Sequence, residues 1–330
     1  MAGMILAGDI GGTKTHLGLF RAVGRELQTI REHVYHTAAF QSLEQACAAF
    51  LLPEDRIGAA CFGVPGPVID GVSHATNVSW SMAQDSIQRA LGGPPTHLMN
   101  DLEATAYGVP YLKDSEVAIL HRGEARAGRA NIAVIAAGTG LGEAGLIVTP
   151  SRYFAIASEG GHSDFAPRGD EQCRLLEFLA REFEHVSFER VLSGPGLHNI
   201  YRFVVSRSPG AQPDWLSARM RTEDPSAVIS ESALEGRDPR CVRALEIFTA
   251  IYGAEAANLA LKYLALGGVY ICGGIAPKIL PFLQRGGLVE AFLDKGRLRP
   301  TLERIDIRVS LNPSAALIGA AWAAVAMQER

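Results

Sequence analysis

Apolar residues along this chain gather into short runs that stop at glycine, proline or Asn-Asp. Ile5-Leu6-Ala7-Gly8 and the alternating stretch 15–20 flank the turn Asp9-Ile10-Gly11-Gly12-Thr13-Lys14-Thr15. Two strands joined by a glycine turn predict a hairpin. Residues 42–52 show helical spacing (Leu43, Ala46, Cys47, Phe50, Leu51) and open at Ser42 with Gln45 three positions on, the pattern of a capping box. An apolar run over 57–64 stops at Pro65-Gly66-Pro67, and a short strand over 96–99 leads into Asn100-Asp101 and a helical stretch from Leu102 to Tyr107. Residues 132–136 and 144–148 flank a second glycine turn, Ala136-Ala137-Gly138-Thr139-Gly140-Leu141-Gly142, which repeats the opening strand–turn–strand pattern. Helices are predicted over 170–184, 193–207, 240–266, 276–284 and 314–328, and the Pro-, Ser- and charge-rich segment 208–226 is predicted to be a surface loop. Strands and helices alternate throughout, so the class is α/β.

Composition narrows the field. A chain of 330 residues has room for two domains, and 48% hydrophobic with 20% charged residues is ordinary for a folded, core-bearing protein. A net charge of −4 speaks against a nucleic-acid partner. No apolar run reaches membrane-spanning length, so no membrane association is expected. The apolar start, Met1 to Ala7, is short and lacks a basic flank, which suits a first strand rather than a secretory signal. The five cysteines (47, 61, 173, 241, 272) form no C-x-x-C pair. They indicate neither a zinc site nor a disulfide framework, and a reducing, cytoplasmic setting is expected. Asn77-Val78-Ser79 matches a glycosylation acceptor, to which the lack of a signal gives little weight.

The chemistry concentrates at the turns. Glycines can adopt φ > 0 and let backbone N–H groups approach an anion. The two glycine turns are therefore expected to hold one polyphosphate from opposite sides, as in a two-lobed phosphotransferase. No G-x-x-x-x-G-K-[ST] is present. Gly140-Leu141-Gly142-Glu143-Ala144-Gly145 matches G-x-G-x-x-G, but Leu146-Ile147-Val148-Thr149-Pro150 follows. That reads as a strand, whereas the dinucleotide fingerprint must open a helix. Asp9 beside a phosphate cradle makes sense if a cation, most simply Mg²⁺ through water, stands between them. Gly273-Gly274-Ile275-Ala276-Pro277 follows the strand Val269–Cys272 and offers the flat backbone that an adenine or ribose needs. Asn100-Asp101 reads either as a helix N-cap or as a general base at a strand's carboxyl end, where α/β sites lie. Ser158-Glu159-Gly160-Gly161-His162 places Glu159 and His162 around a tight turn. Glu189 precedes Arg190-Val191-Leu192-Ser193-Gly194-Pro195-Gly196 and reads equally as a solvated or Arg-paired residue. Carboxylates, an amide and an imidazole in one pocket would suit a polyhydroxyl ligand.

Taken in order, Asp9–Thr15, Phe62–Pro67, Asn100–Ala104, Ala137–Gly142, Glu159–Pro167, Glu189–Gly196 and Gly273–Pro277 resemble bacterial glucokinases over nearly the whole chain. These belong to the actin/hexokinase-like (ribonuclease H-like) ATPase superfamily. The resemblance implies that Asp101 is the catalytic base and that Asn100, Glu159, His162 and Glu189 bind sugar hydroxyls. It also implies that Asp9, Gly11, Gly12, Thr13, Gly138, Thr139 and Gly140 hold ATP phosphates and Mg²⁺, with Gly273 and Gly274 near the nucleoside. It implies a small lobe of residues 1–111 plus 312–330, a large lobe of 112–311, an active site in the cleft between them, and a homodimer. Thr13-Lys14-Thr15 is also similar to the repressor/open-reading-frame/kinase sugar kinases. Those carry a cysteine-rich zinc motif after the E-x-G-H segment, whereas this chain continues Ser163-Asp164-Phe165-Ala166-Pro167, which favours the non-zinc branch.

The expected reaction is D-glucose plus ATP giving glucose 6-phosphate plus ADP. Three alternatives stand beside it. A kinase for another hexose or an N-acetylated amino sugar would share the fold. A sugar-sensing regulator would need an added DNA-binding module, for which a first strand starting by residue 4 is expected to leave no room at the N-terminus. A non-catalytic actin-like scaffold would have no use for Glu159, His162 and Glu189.

Overall fold

The computed structural model describes residues 3–24, 26–74, 78, 80–124, 129–149 and 152–328. Asn77 and Ser79 of the glycosylation-like triplet lie outside them. The strands are β1 (Met4–Ile10), β2 (Lys14–Val23), β3 (Glu26–His36), β4 (Ile57–Val64), β5 (Val68–Ile69), β6 (Val72–His74) and β7 (Ser81–Ala83). They continue as β8 (Thr96–Asn100), β9 (Val117–His121), β10 (Ile132–Ala137), β11 (Leu141–Val148), β12 (Tyr153–Ser158), β13 (Val269–Cys272) and β14 (Ile307–Ser310). The chain divides into two compact units, residues 1–113 with 146–157 and 312–330, and residues 114–145 with 158–311.

The first unit is built on a sheet of order β3-β2-β1-β4-β8. β1 pairs antiparallel with β2 and parallel with β4, and β4 pairs parallel with β8. β1, β4 and β8 therefore end at one edge. Side chains alternate between the two faces of such a sheet. Leu6, Leu17, Leu19 and Phe62 form one core with Leu43, Cys47 and Phe50 of the helix Leu43–Phe50. Ile5, Ala7, Phe20 and Cys61 form the other, with Leu317, Ala320, Ala321 and Ala324 of the helix Ala315–Gln328. That helix also packs on the helix Asp101–Gly108. A Cβ at Gly319 would come within 1.7 Å of the Ala104 carbonyl oxygen, and one at Gly108 within 2.0 Å of that of Ala315. The two backbones touch, so the start of the Asp101 helix is fixed by both its strand and its neighbour. β5, β6 and β7 form a small separate sheet.

The second unit's strands belong to a sheet of order β12-β11-β10-β13-β14-β9. β10, β13 and β14 run parallel, and β9 lies antiparallel on β14. The helix Pro239–Tyr263 packs against β10 and β13, burying Leu245, Phe248 and Tyr252 with Ile135 and Ile271. It starts at Asp238, whose side chain accepts from the Arg240 N–H, and stops at Leu264 in the left-handed conformation. Among the described residues no helix is long and apolar enough to cross a membrane.

Both glycine-turn hairpins form, and β11 follows Gly140 directly, so the G-x-G-x-x-G match opens a strand and not the helix that the dinucleotide fingerprint needs. At Ser42 the hydroxyl accepts from the Gln45 N–H as expected, while the Gln45 side chain reaches one residue further back, to the Gln41 N–H. The loop expected over 208–226 is largely helical: it holds the helix Asp214–Thr222 and the start of the helix Pro225–Leu234. Its prolines and acids mark helix starts, with Asp224 capping the Ser226 N–H and Pro225 in the first turn, where the missing proline N–H costs nothing. Of 276–284, only Leu280–Leu283 is α-helical. The expected helix over 170–184 ends at Leu179, and that over 240–266 ends at Tyr263.

Candidate active site

In the first unit the expected residues collect where β1, β4 and β8 end, the edge at which open α/β sheets present reacting groups. Asp9 lies opposite Gly63 of β4. A Cβ at position 63 would meet the Ala104 Cβ at 2.9 Å and lie 3.6 Å from the Asp101 Cα. Glycine there admits the helix start that carries Asp101. Burial, and then the charge of Asp101, push the Asp9 carboxyl up to about 7. Among the described residues no donor hydrogen-bonds that carboxylate. A half-buried acid left without a protein donor suits a hydrated divalent cation, whose ligands are oxygens.

Asn100 is the helix N-cap. Its Oδ1 accepts from the Leu102 N–H at 2.8 Å, and the Glu103 carboxylate accepts from the Asn100 N–H at 3.0 Å, closing a capping box. Its amide also donates to the Gly66 carbonyl at 3.1 Å. Asp101 is the first helical residue and shares the Leu102 N–H at 2.8 Å. Asn100 thus carries the capping box, and Asp101 shares one of its N–H donors.

The first glycine turn closes through the Gly11 N–H to the Lys14 carbonyl at 2.8 Å. Thr37 braces it from outside: its N–H donates to the Thr13 carbonyl at 3.0 Å and its hydroxyl to the Gly11 carbonyl at 2.7 Å. Among the described residues no acceptor takes the N–H of Gly12 or Thr13, and both residues are exposed.

In the second unit, three separate stretches meet at Leu141, the first residue of β11. Its N–H donates to Glu189 Oε2 at 3.0 Å, and its carbonyl oxygen would lie 2.0 Å from a Cβ at Gly161. The turn Glu159–His162 closes with the His162 N–H on the Glu159 carbonyl at 2.9 Å. It is tied to the Glu189 segment by the Phe188 N–H on the Ser163 carbonyl at 3.0 Å. Glu159 and His162 are exposed and Glu189 is half-buried, and the segments that carry them adjoin one another at Leu141, just after Gly138, Thr139 and Gly140. Glu189 is neither fully solvated nor Arg-paired among the described ion pairs. Its carboxylate fastens the glycine turn.

The glycines work by size. None of Gly11, Gly12, Gly138 and Gly140 has positive φ, so the turns close without the left-handed conformation that glycine permits. A Cβ at Gly140 would lie 2.5 Å from Glu189 Oε2, whereas one at Gly138 would meet nothing within 4 Å. Gly273 is the one that needs its conformation, with φ of 83° and its Cβ position 2.4 Å from the Ala137 carbonyl oxygen. Gly274, Gly138 and Thr139 line a cavity of about 540 Å³ that Asp224, Ser226 and Lys278 complete. Sequence reasoning missed Thr37, whose role depends on a contact across the hairpin, and Asp224 and Ser226, which sat in the expected loop.

A family model described as Glucokinase matches residues 6–327. The chain belongs to the glucokinase family. It is 40% identical to a glucokinase of Nostoc punctiforme over 97% of this chain and 98% of that one. With a glucokinase of Synechocystis sp. it shares 38% identity over 96% of each chain. Among solved structures, a glucokinase from an Antarctic psychrotroph matches with a TM-score of 0.86 at 32% identity, covering 98% of this chain and 99% of that one. The fold is that of the actin/hexokinase-like ATPases, as the resemblance implied.

The raised Asp9 carboxyl has a signed consequence. The native state keeps this proton up to about pH 7, whereas an unfolded aspartate releases it near 3.8. The stability Asp9 contributes is therefore present below 3.8 and is lost as pH rises through 7. Asp9→Asn, which is neutral throughout, should be more stable than the wild type by an amount that grows between pH 5 and pH 8, on the order of a few kcal/mol at most. Thermal unfolding at both pH values checks this, and an equal gain at each would contradict it.

Proposed function

We infer that this chain phosphorylates D-glucose at O6 with ATP, giving glucose 6-phosphate and ADP. The observation that supports the reading is the meeting of the Glu159–His162 turn and the Glu189 segment at Leu141, beside the second glycine turn. Acids and an imidazole on short turns are suited to paired hydrogen bonds with ring hydroxyls. A site of that kind rejects an analogue lacking a hydroxyl far better than an apolar pocket does. Asn100 would add an amide from the first unit.

For ATP, the cavity lined by Gly274, Asp224, Ser226 and Lys278 is of a size that takes a nucleoside. Gly138, Thr139 and Gly140, with Gly11, Gly12 and Thr13, would meet the phosphates through backbone N–H groups and hydroxyls. Asp9 would hold Mg²⁺ through water. When bound, the ion offsets negative charge on the phosphate oxygens. Phosphoryl transfer is largely positioning and charge stabilisation. The remaining chemical need is an acceptor for the O6 proton, and Asp101 fills it.

We also propose a cytoplasmic homodimer. β12 stands at the end of its sheet with Phe154 and Ile156 each 44% exposed, an edge that natural proteins tend to cover. Sedimentation should give twice the chain mass of 35.3 kDa, and a mass of one chain would contradict the dimer.

Asp101→Asn separates catalysis from structure. The amide can still accept from the Leu102 N–H, and Asn100 still caps the helix, so the thermal midpoint and glucose affinity should change little. The amide cannot take a proton, so the single-turnover rate should fall about 10²–10⁴-fold. A folded variant retaining more than about a tenth of the wild-type rate would overturn the assignment.

A further inference from the structure

Beneath the Glu159–His162 turn lies a second acidic feature that the reaction does not use. Glu143 of β11 is 1% exposed, and Glu255 of the helix Pro239–Tyr263 is fully buried. The two carboxyl groups face each other within hydrogen-bonding reach. No donor from another residue reaches either Glu143 oxygen or Glu255 Oε1 among the described residues. Glu255 holds the better claim to the negative charge. Its Oε2 accepts from the Asn258 amide at 2.7 Å, and the Lys262 ammonium lies 3.6 Å from its Oε1. The Lys295 ammonium in turn donates to Asn258. Glu143 shares the Lys262 charge but accepts no such hydrogen bond, so the proton between the two belongs on Glu143.

This pair supports the turn directly. A Cβ at Gly160 would sit 2.0 Å from Glu143 Oε2, so the Gly160 backbone lies against that carboxyl. The Gly160 N–H donates to the Ser158 hydroxyl at 2.9 Å, and Ser158 pairs with the Tyr263 hydroxyl. Two residues before Glu143, Leu141 holds Glu189. Besides Glu255, the titratable and charged groups around Glu143 are Lys262, Tyr263 and Tyr252 from the same helix. Lys295 faces Glu255, with Arg168 beside Lys295.

We propose that Glu143 and Glu255 are positioning residues that hold one proton between them, and that this proton-bridged pair fixes the Glu159–His162 turn for glucose. A hydrogen bond from a neutral carboxyl to a carboxylate is short and strong. Loss of the proton leaves two adjacent buried anions, which cannot both remain in a low-dielectric site. Glu143 then has to move, and Gly160 is what it touches. Burial and the charge of Glu255 push the Glu143 carboxyl up to about 8, so the switch falls just above neutral pH.

The inference rests on the glucose reading of the site and is tested by glucose binding in the absence of nucleotide. Calorimetric Kd values would be taken at pH 7 and pH 9, about one unit either side of the Glu143 transition. If only the protonated pair is competent, the wild-type Kd should rise up to about tenfold between them. Glu143→Gln still donates to Glu255 but cannot ionise, so its Kd should stay near the wild-type pH 7 value at both. Glu255→Gln removes the like charge and should move the step to lower pH. A wild-type Kd equal at both pH values would overturn the proposal without any variant, as would a full step surviving in Glu143→Gln or an unmoved one in Glu255→Gln. Glucose failing to bind at pH 7 would contradict the glucose reading and this inference with it, whereas binding without a step contradicts this inference alone.

Discussion

The second unit's candidate site hangs on the backbone of Leu141. Its N–H is held by the Glu189 carboxylate and its carbonyl oxygen is pressed by Gly161. A hydrogen bond to a charged group contributes roughly 1.5–3 kcal/mol, a large share of the few kcal/mol by which folded proteins exceed their unfolded states. Its geometric effect is as important. The backbone of one residue sets the register of the glycine turn, the Glu189 segment and the Glu159–His162 turn together. Substitution at Gly140 would push on Glu189 and so disturb the sugar side, although by sequence the residue belongs to a phosphate turn. Gly138 has open space around its Cβ position and carries no such double duty.

The first unit solves a different problem. Asp9 comes from a strand and Asp101 from the start of a helix, and they interact because Gly63 and the Gly108–Gly319 contact let a strand and two helices approach closely. The approach is destabilising, since a half-buried acid beside another acid is held off its ordinary ionisation. Strain of this sort at a functional site is commonly offset by packing elsewhere. Here the alanine-rich face of the helix Ala315–Gln328 provides that packing against β1 and β4. Asn100 shows how one residue can serve both ends: its capping box fixes the helix start, and its second amide bond goes to the Gly66 turn.

Much of this was legible in the sequence because it is written locally. Both hairpins, the Asn100 cap and the strand after Gly140 follow from residues within a few positions of one another. β3 was not foreseen, because its side chains are mostly exposed and polar and leave no apolar alternation to read. The helices within 208–234 were masked by prolines and acids that belong to helix starts. The contact of Glu189 with the Leu141 N–H could not be read from spacing, since Leu141 lies far along the chain. Glu143 was noticed only inside a misleading glycine motif, and its importance comes from Glu255 and Gly160, neither of which is near it in sequence. The left-handed conformation that glycine permits is used in neither turn. The hydrogen bonds from Gly11 to Lys14 and from Gly138 to Gly140 close them without that conformation.

The central claim is that Glu159, His162 and Glu189 read the hydroxyls of glucose. The most direct test is steady-state phosphorylation by the wild-type protein with ATP, comparing kcat/KM for glucose with that for N-acetylglucosamine and N-acetylmannosamine. A site built on hydrogen bonds to ring hydroxyls predicts that glucose leads by about 10²-fold or more. Equal or better turnover of either N-acetylated sugar would contradict the account.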